Sequence, residues 1–256
     1  MTRAFTLVEL LVVLAILGLL IAIAVPVTAM VRTQGQSVAS AANLKQLVTA
    51  NQNYAIDHGH FAPASDRSNN KRWHGARIPG GAFDPTQGFL ADYLGQSRRV
   101  TTCPRFASMD KAPNTFEEGT GGYGYNASYI GGTPDWAYDP QGNQIAAHAG
   151  SLLRLSDTLM FASTAYARAD GIQEYPYAEP PFWDFGNGPS GFRPSPTVHF
   201  RFNGRAAIAW ADGRVTFEPP QERPPGTNPH GGDADRHHLG WFGPDDHNGF
   251  WNPARP

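Results

Sequence analysis

The sequence predicts an α+β protein: one long N-terminal α-helix, with a membrane half and an amphipathic half, packed on an antiparallel β-sheet head. Three observations carry that prediction. Phe5 to Val25 is apolar at nearly every position. After Pro26 no proline occurs until Pro63, so a helix can continue to about His58. Near the C-terminus two alternating runs flank Asp212-Gly213, the strongest short hairpin signal.

The apolar run sets the class of the N-terminal part. Only Thr6, Glu9 and the neutral Gly18 interrupt it. About 21 helical residues rise about 31 Å, matching a bilayer core of about 30 Å. A soluble core helix would carry a polar stripe, and this segment has none. A secretory signal peptide has a basic start, an apolar stretch of about 7–15 residues and a small-residue cleavage site. Here only Met1-Thr2-Arg3-Ala4 precedes a run that is too long. Arg3 favours a cytoplasmic N-terminal end, although Arg32 and Lys45 follow on the other side.

Glu9 is the anomaly in that run. A carboxylate inside an apolar span costs a few kcal/mol, so it has a partner, a task or a place near the hydrated interface. Its neighbourhood, Arg3-Ala4-Phe5-Thr6-Leu7-Val8-Glu9-Leu10, resembles the processing site of type IV prepilins and type II secretion pseudopilins. The resemblance continues to Pro26. It implies that a cytoplasm-facing prepilin peptidase cuts between Ala4 and Phe5 and methylates the new Phe5 amine. Gly is usual before the cut, and Ala4 stands there. It also implies that Glu9 pairs with the N-terminal amine of a neighbouring subunit and sets axial register. Gly18 and Pro26 fall where the family carries helix-weakening residues. Gly costs a helix about 1 kcal/mol and an interior Pro about 3. The implied fold is pilin-like.

Beyond Pro26 the helix is amphipathic. Val31, Val38 and Ala42 share one face, and Ala41, Leu44, Val48 and Ala55 an adjacent one. Gly35 is a soft spot. Gly59 and Pro63 are stop signals, and His58 and His60 read as cap residues. Asn43 to Leu47 and Asn53 to Phe61 resemble a pseudopilin-like group abundant in planctomycetes and verrucomicrobia. Thr101-Thr102-Cys103-Pro104 and Tyr123-Gly124-Tyr125-Asn126 resemble further elements of that group. His199, separated from Asp212-Gly213 by twelve residues, is set against the group's C-terminal His…Asp-Gly signature. A type I′ turn at Asp212-Gly213 would explain the pair without any function.

The remaining head reads more coarsely. Asp66 to Gly81 is polar and Gly-rich, a surface loop. Gly88 to Leu94 suggests a short helix. Leu152 to Ser163 suggests a turn feeding a buried strand, and Thr197 to Phe202 alternates as a strand does. Residues 171–196 carry six prolines and read as an irregular insertion. The lone Cys103 excludes an intramolecular disulfide and reads as a buried inert thiol. Residues 218–256 hold eight Pro, six Gly and four His. Asp233, Asp235, Asp245 and Asp246, with His237, His238 and His247, are weak candidates for calcium or zinc, but no recognised ligand spacing is present. Trp241, Phe242, Phe250 and Trp251 suggest that this tail folds back on the head.

The expected organisation is a leader at 1–4, a membrane and assembly helix at 5–26, its amphipathic continuation at 27–60, a β-rich head at 61–217 and a tail at 218–256. Lys plus Arg number 20 and Asp plus Glu 22, a net charge of −2 that argues against a phosphate-binding role and a nucleic-acid partner. No nucleophile elbow, phosphate loop or His-Glu-x-x-His pattern occurs, so no catalytic residue and no cofactor are expected beyond possible calcium. The reading is a structural subunit of a type II secretion pseudopilus or type IV pilus-like filament, anchored by a single pass in the bacterial inner membrane. Its head lies in the periplasm or outside the cell. Its partners are prepilin peptidase and other copies or other pseudopilins. The alternative is a membrane-tethered extracytoplasmic binding module or enzyme, supported only by scattered His and Asp. Intact mass spectrometry of the protein from its native membrane should find Phe5 as an N-methylated first residue. Retention of Met1 to Ala4 in cells with an active peptidase would contradict this.

Overall fold

The computed structural model describes residues 6–113, 115–221, 232–244 and 247–254. The processing residues Ala4 and Phe5, and the tail residues Asp245 and Asp246, lie outside them. The chain divides into two compact units between Val38 and Ala39. One helix, α1 (Leu7–His58), contributes to both.

In the first unit α1 is long and apolar enough to cross a membrane, and its most apolar window is unburied. The helix assignment runs unbroken through Gly18, Pro26 and Gly35.

In the second unit the helix has an inner face. Ser40, Leu44, Leu47, Val48, Asn51, Tyr54 and Ala55 are buried, at helical spacing. The expected face through Leu44, Val48 and Ala55 is present. The face through Val31, Val38 and Ala42 is not buried. At the helix end Gly59 takes φ +78° and donates its N–H to Ala55 O (2.9 Å), as a C-terminal glycine does. His58 stacks on Tyr54, with centroids 4.1 Å apart, and His60 Nδ1 donates to Phe61 O (2.8 Å).

The short ribbon β1 (Lys71–Arg72) and β2 (Gly75–Ala76) follows. Asp66 to Gly81 is therefore not a plain surface loop: Arg72, Trp73 and His74 are buried within it. Two 3₁₀ turns, Pro85–Gln87 and Ala91–Tyr93, replace the short helix expected at 88–94. Helix α2 (Pro104–Ala107) leads to β3 (Tyr123–Tyr125). Then come β4 (Leu159–Ser163), the hairpin β5 (Tyr166–Arg168) and β6 (Gly171–Gln173), β7 (Val198–His199), β8 (Ala206–Trp210), β9 (Val215–Glu218) and β10 (Leu239–Gly240). The strand expected at 197–202 is only two residues long: its partner β10 has two residues, and Phe202 bonds instead with Arg205 across a tight turn.

The main sheet is antiparallel in the order β3-β4-β8-β9. Every residue of β4 and β8 is buried, because both faces of the sheet are covered. Ala207 and Ala209 join a cluster with Leu44, Val48, Tyr54, Tyr125 and Phe161 on the helix side. Ala206, Ile208 and Trp210 join Leu159, Val198, Phe242 and Trp251 on the other. That division follows the period-2 alternation of a strand. The C-terminal aromatics thus form the second layer.

Polar groups fasten both layers. Asn51 Nδ2 donates to the Tyr125 hydroxyl (2.9 Å), and Asn51 Oδ1 accepts from Ala62 N (2.9 Å). Asn126 Nδ2 donates to Leu159 O and Trp251 O, each at 2.9 Å. Asn248 donates to Phe182 O (2.7 Å) and accepts from Phe182 N (3.0 Å).

Beside the ribbon, buried Arg72 and Glu117 form an ion pair, with Phe83 and Tyr177 rings against the guanidinium. Breaking such a pair from one side strands a buried charge, which costs about 3–5 kcal/mol, whereas an apolar pair of similar volume restores much of that. Glu117→Ala should lose that much stability in urea denaturation, and Arg72→Met/Glu117→Leu should lose clearly less. A Glu117→Ala variant as stable as the parent would contradict the assignment.

Candidate functional site

The N-terminal segment carries the candidate assembly site. Thr6 stands just before the first helical residue. Its backbone N–H and its hydroxyl both donate to Glu9 Oε2, at 2.9 and 2.8 Å. Glu9 N in turn donates to Thr6 Oγ1 (3.2 Å). This reciprocal arrangement is a capping box. Glu9 thereby satisfies donors that a helix start leaves open, and its charge sits at the positive end of the helix dipole. The few kcal/mol that an intramembrane carboxylate costs are partly offset by its own helix. Among the described residues only Oε2 is engaged. Sequence reading missed Thr6, although Thr6-Leu7-Val8-Glu9 before an apolar run is the sequence form of this box.

Around Glu9 the helix surface offers only aliphatic groups. Leu7, Val8, Leu10, Leu11, Val12 and Val13 are all exposed. A Cβ at Gly18 would meet nothing within 4 Å. The glycine opens a notch in this surface and relieves no contact within the chain.

The Asp212-Gly213 element lies at the β8–β9 turn. The last ladder pair is Ala209 with Val215. Trp210 N donates to Arg214 O (2.9 Å), and Gly213 N donates to Trp210 O (3.0 Å). Gly213 has φ +90°, while Asp212 is absent from the non-glycine residues with positive φ. A type I′ turn needs positive φ at both central residues. The turn is instead a three-residue loop with a left-handed glycine, which corrects the sequence expectation. Asp212 Oδ1 accepts from Arg214 N (2.8 Å). Three contacts hold the loop: Gln52 Nε2 donates to Ala211 O (2.8 Å), Ala211 N to Thr158 O (2.8 Å) and Asp212 N to Leu155 O (3.1 Å). The element joins helix, sheet and the 155–158 turn.

His199 lies on β7, which pairs with β10 and not with the β8–β9 hairpin. It is fully buried, and its Nδ1 lies 3.1 Å from Arg201 NH1. A guanidinium only donates, so Nδ1 accepts and the proton sits on Nε2. Burial, with the Arg201 charge beside it, pushes the imidazole well below its usual range, so it is neutral. Arg201 also donates to Thr164 O and Gly122 O. Cys103 is buried, with Sγ 3.2 Å from the Ser40 hydroxyl. These groups knit helix, α2 and sheet together, and among the described residues no thiol–imidazole hydrogen bond reaches Cys103.

In the tail, Asp233 Oδ1 accepts from Arg236 N (2.9 Å), and His238 N donates to Asp235 O (3.1 Å). These are turn contacts. Among the described residues no group of three or more His, Cys, Asp or Glu side chains gathers as metal ligands do.

An apolar helix with a capped carboxylate in its first turn, followed by a helix-backed antiparallel sheet, defines a membrane-anchored pilin-like class. Residues 1–25 match the family model of the prokaryotic N-terminal methylation motif, which supports a type IV prepilin- or pseudopilin-like protein. That motif implies processing by prepilin peptidase and association with pilin-like subunits. Neither the curated proteins nor the solved structures gave a match to the chain.

Thr6→Val removes one donor to Glu9 and the acceptor for Glu9 N. It should weaken the helix start by about 1 kcal/mol, the usual value of an N-cap. Amide hydrogen exchange at Leu7 to Leu10 should quicken in the full chain in micelles, with exchange at Leu44 to Ala55 unchanged. Equal exchange in parent and variant would show that the box carries no stability.

Proposed function

We propose that this chain is a structural subunit of a type II secretion pseudopilus or a related type IV pilus-like filament. It is cleaved between Ala4 and Phe5, N-methylated at Phe5, and held in the inner membrane by residues 5–26 before assembly. Its head stands in the periplasm or outside the cell. The observation that supports this best is the charged residue on the apolar surface: among the described residues Glu9 caps its own helix through Oε2 alone, so Oε1 can take a second donor. In a filament that donor is the Phe5 amine of a neighbouring subunit. The pair is strongly attractive where water is scarce, and either member alone is costly there. The unburied aliphatic surface from Leu7 to Val27 then packs against equivalent helices, with Gly18 permitting close approach.

Glu9→Leu separates anchoring from assembly. An apolar residue is cheaper in the bilayer by a few kcal/mol, so the variant should fractionate with membranes at least as well as the parent. Sheared-filament yield should nonetheless fall sharply, because the neighbour's amine loses its partner. Thermal melting of the head should be unchanged. A normal filament yield from Glu9→Leu would remove the register role of this residue. A membrane protein without assembly would show no filament in the parent either.

A further inference from the structure

The head carries a second feature that the filament does not use. The segment 183–192, Trp-Asp-Phe-Gly-Asn-Gly-Pro-Ser-Gly-Phe, folds back on itself: Trp183 N donates to Phe192 O (2.9 Å) and Ser190 N to Trp183 O (2.6 Å). Its anchor is Asp184, only 6% exposed. One Asp184 oxygen accepts from Gly186 N (2.9 Å) and Gly188 N (3.0 Å), and the other accepts from the Tyr129 hydroxyl (2.9 Å). Tyr129 is itself held by Asn248. With Asp184 turned inward, its neighbours Trp183 and Phe185 face the other way.

A turn from elsewhere in the chain completes the surface. Trp136 lies against Trp183, with ring centroids 6.1 Å apart and planes at 47°. Trp136 has φ +56°, a conformation that a bulky residue adopts only against strain. Trp136, Phe185 and Phe192 are 43, 58 and 73% exposed. A folding core would bury such rings. Here a buried carboxylate and a strained backbone hold them outward, so the surface is ordered before any ligand arrives.

The chemistry around the rings selects among ligands. The loop contains no aliphatic side chain and no Lys or Arg. The next residue, Arg193, is stacked on Phe182 and Trp241. Asp135, exposed beside Trp136, is acidic. A nucleic acid would bring phosphates to a loop that carries no Lys or Arg of its own, although its bases stack well. A stable protein partner needs about 800 Å² from each side, with a broad apolar centre. A pyranose ring needs less: its C–H face lies on an aromatic face, and its hydroxyls seek acceptors and donors at the rim. The Asp135 carboxylate and the Asn187 amide are exposed at that rim. We propose that the Trp136–Trp183 platform with Phe185 and Phe192 binds a neutral polysaccharide. The platform lies wholly in the head, so this stands independently of filament assembly.

The test uses the full chain in detergent micelles, sedimented with microcrystalline cellulose, chitin or curdlan. At least one should retain the parent. Retention should fall about tenfold or more in Trp136→Ala and in Phe192→Ala, the loss of one dominant contact. Thermal melting should not change, and Phe116→Ala, another exposed ring, should bind as the parent does. Phe192 carries no backbone strain, so its variant tests the platform even if Trp136→Ala folds poorly. Polygalacturonate should be bound less well than the neutral polymer. Failure of all three polymers to retain the parent, or equal retention of parent and variants, would overturn the proposal. So would Trp136-dependent binding of oligo-dT, or self-association of the chain, in place of polymer binding.

Discussion

A single helix of 52 residues has to satisfy two solvents. Its backbone groups bond along its own axis, which is what a bilayer demands of any spanning segment. Side chains then decide which solvent each part meets. From Leu10 to Val25 they are aliphatic on all sides, apart from Gly18. From Ser40 to Ala55 they divide into a buried stripe of Leu44, Leu47, Val48 and Tyr54 and a wet face with Lys45 and Gln46. The sheet follows from the second part. Because the helix covers one face of β4 and β8, small residues such as Ala207 and Ala209 suffice there, while Ile208 and Trp210 point to the opposite side.

That opposite side explains a composition that a sequence alone presents as a tail. Pro, Gly and His suggest a solvated segment. The structure buries Phe242 and Trp251 against the sheet and Trp241 beside Pro194, while Asn126 satisfies the Trp251 carbonyl and Asn248 bonds the Phe182 backbone. An isolated sheet with one bare face would expose Leu159, Ile208 and Trp210. Covering them with the C-terminal segment removes that apolar surface from water, at roughly 25 cal/mol per Å².

What the sequence made legible is what depends on local pattern. The helix and its end at His58, the Leu44–Val48–Ala55 face, the buried strand before Ser163 and the β8–β9 hairpin all rest on periodicity or on a single turn residue. What escaped depends on contacts distant in sequence. Asp66 to Gly81 reads as polar, yet Arg72 is buried because Glu117, 45 residues later, neutralises it. The turn at Asp212-Gly213 escaped by one residue of loop length, which is set by contacts to Gln52, Leu155 and Thr158. Thr6 is the exception: its pattern with Glu9 is local, but the eye rests on the charge and passes over the hydroxyl three residues earlier.

The candidate site is the place where sequence rules are broken. Every other choice between Phe5 and Val25 lowers the cost of insertion, and Glu9 raises it. The capping box gives that carboxylate a home in the isolated subunit, through one oxygen among the described residues. The account requires the other oxygen to find the amine of a different subunit. Solid-state NMR on filaments assembled from a mixture of ¹⁵N-labelled and ¹³C-glutamate-labelled subunits measures this directly. An intermolecular contact between the Phe5 nitrogen and the Glu9 carboxyl carbon is the predicted result. Filaments in which that contact is missing, with Glu9 bonded only within its own chain, would contradict it.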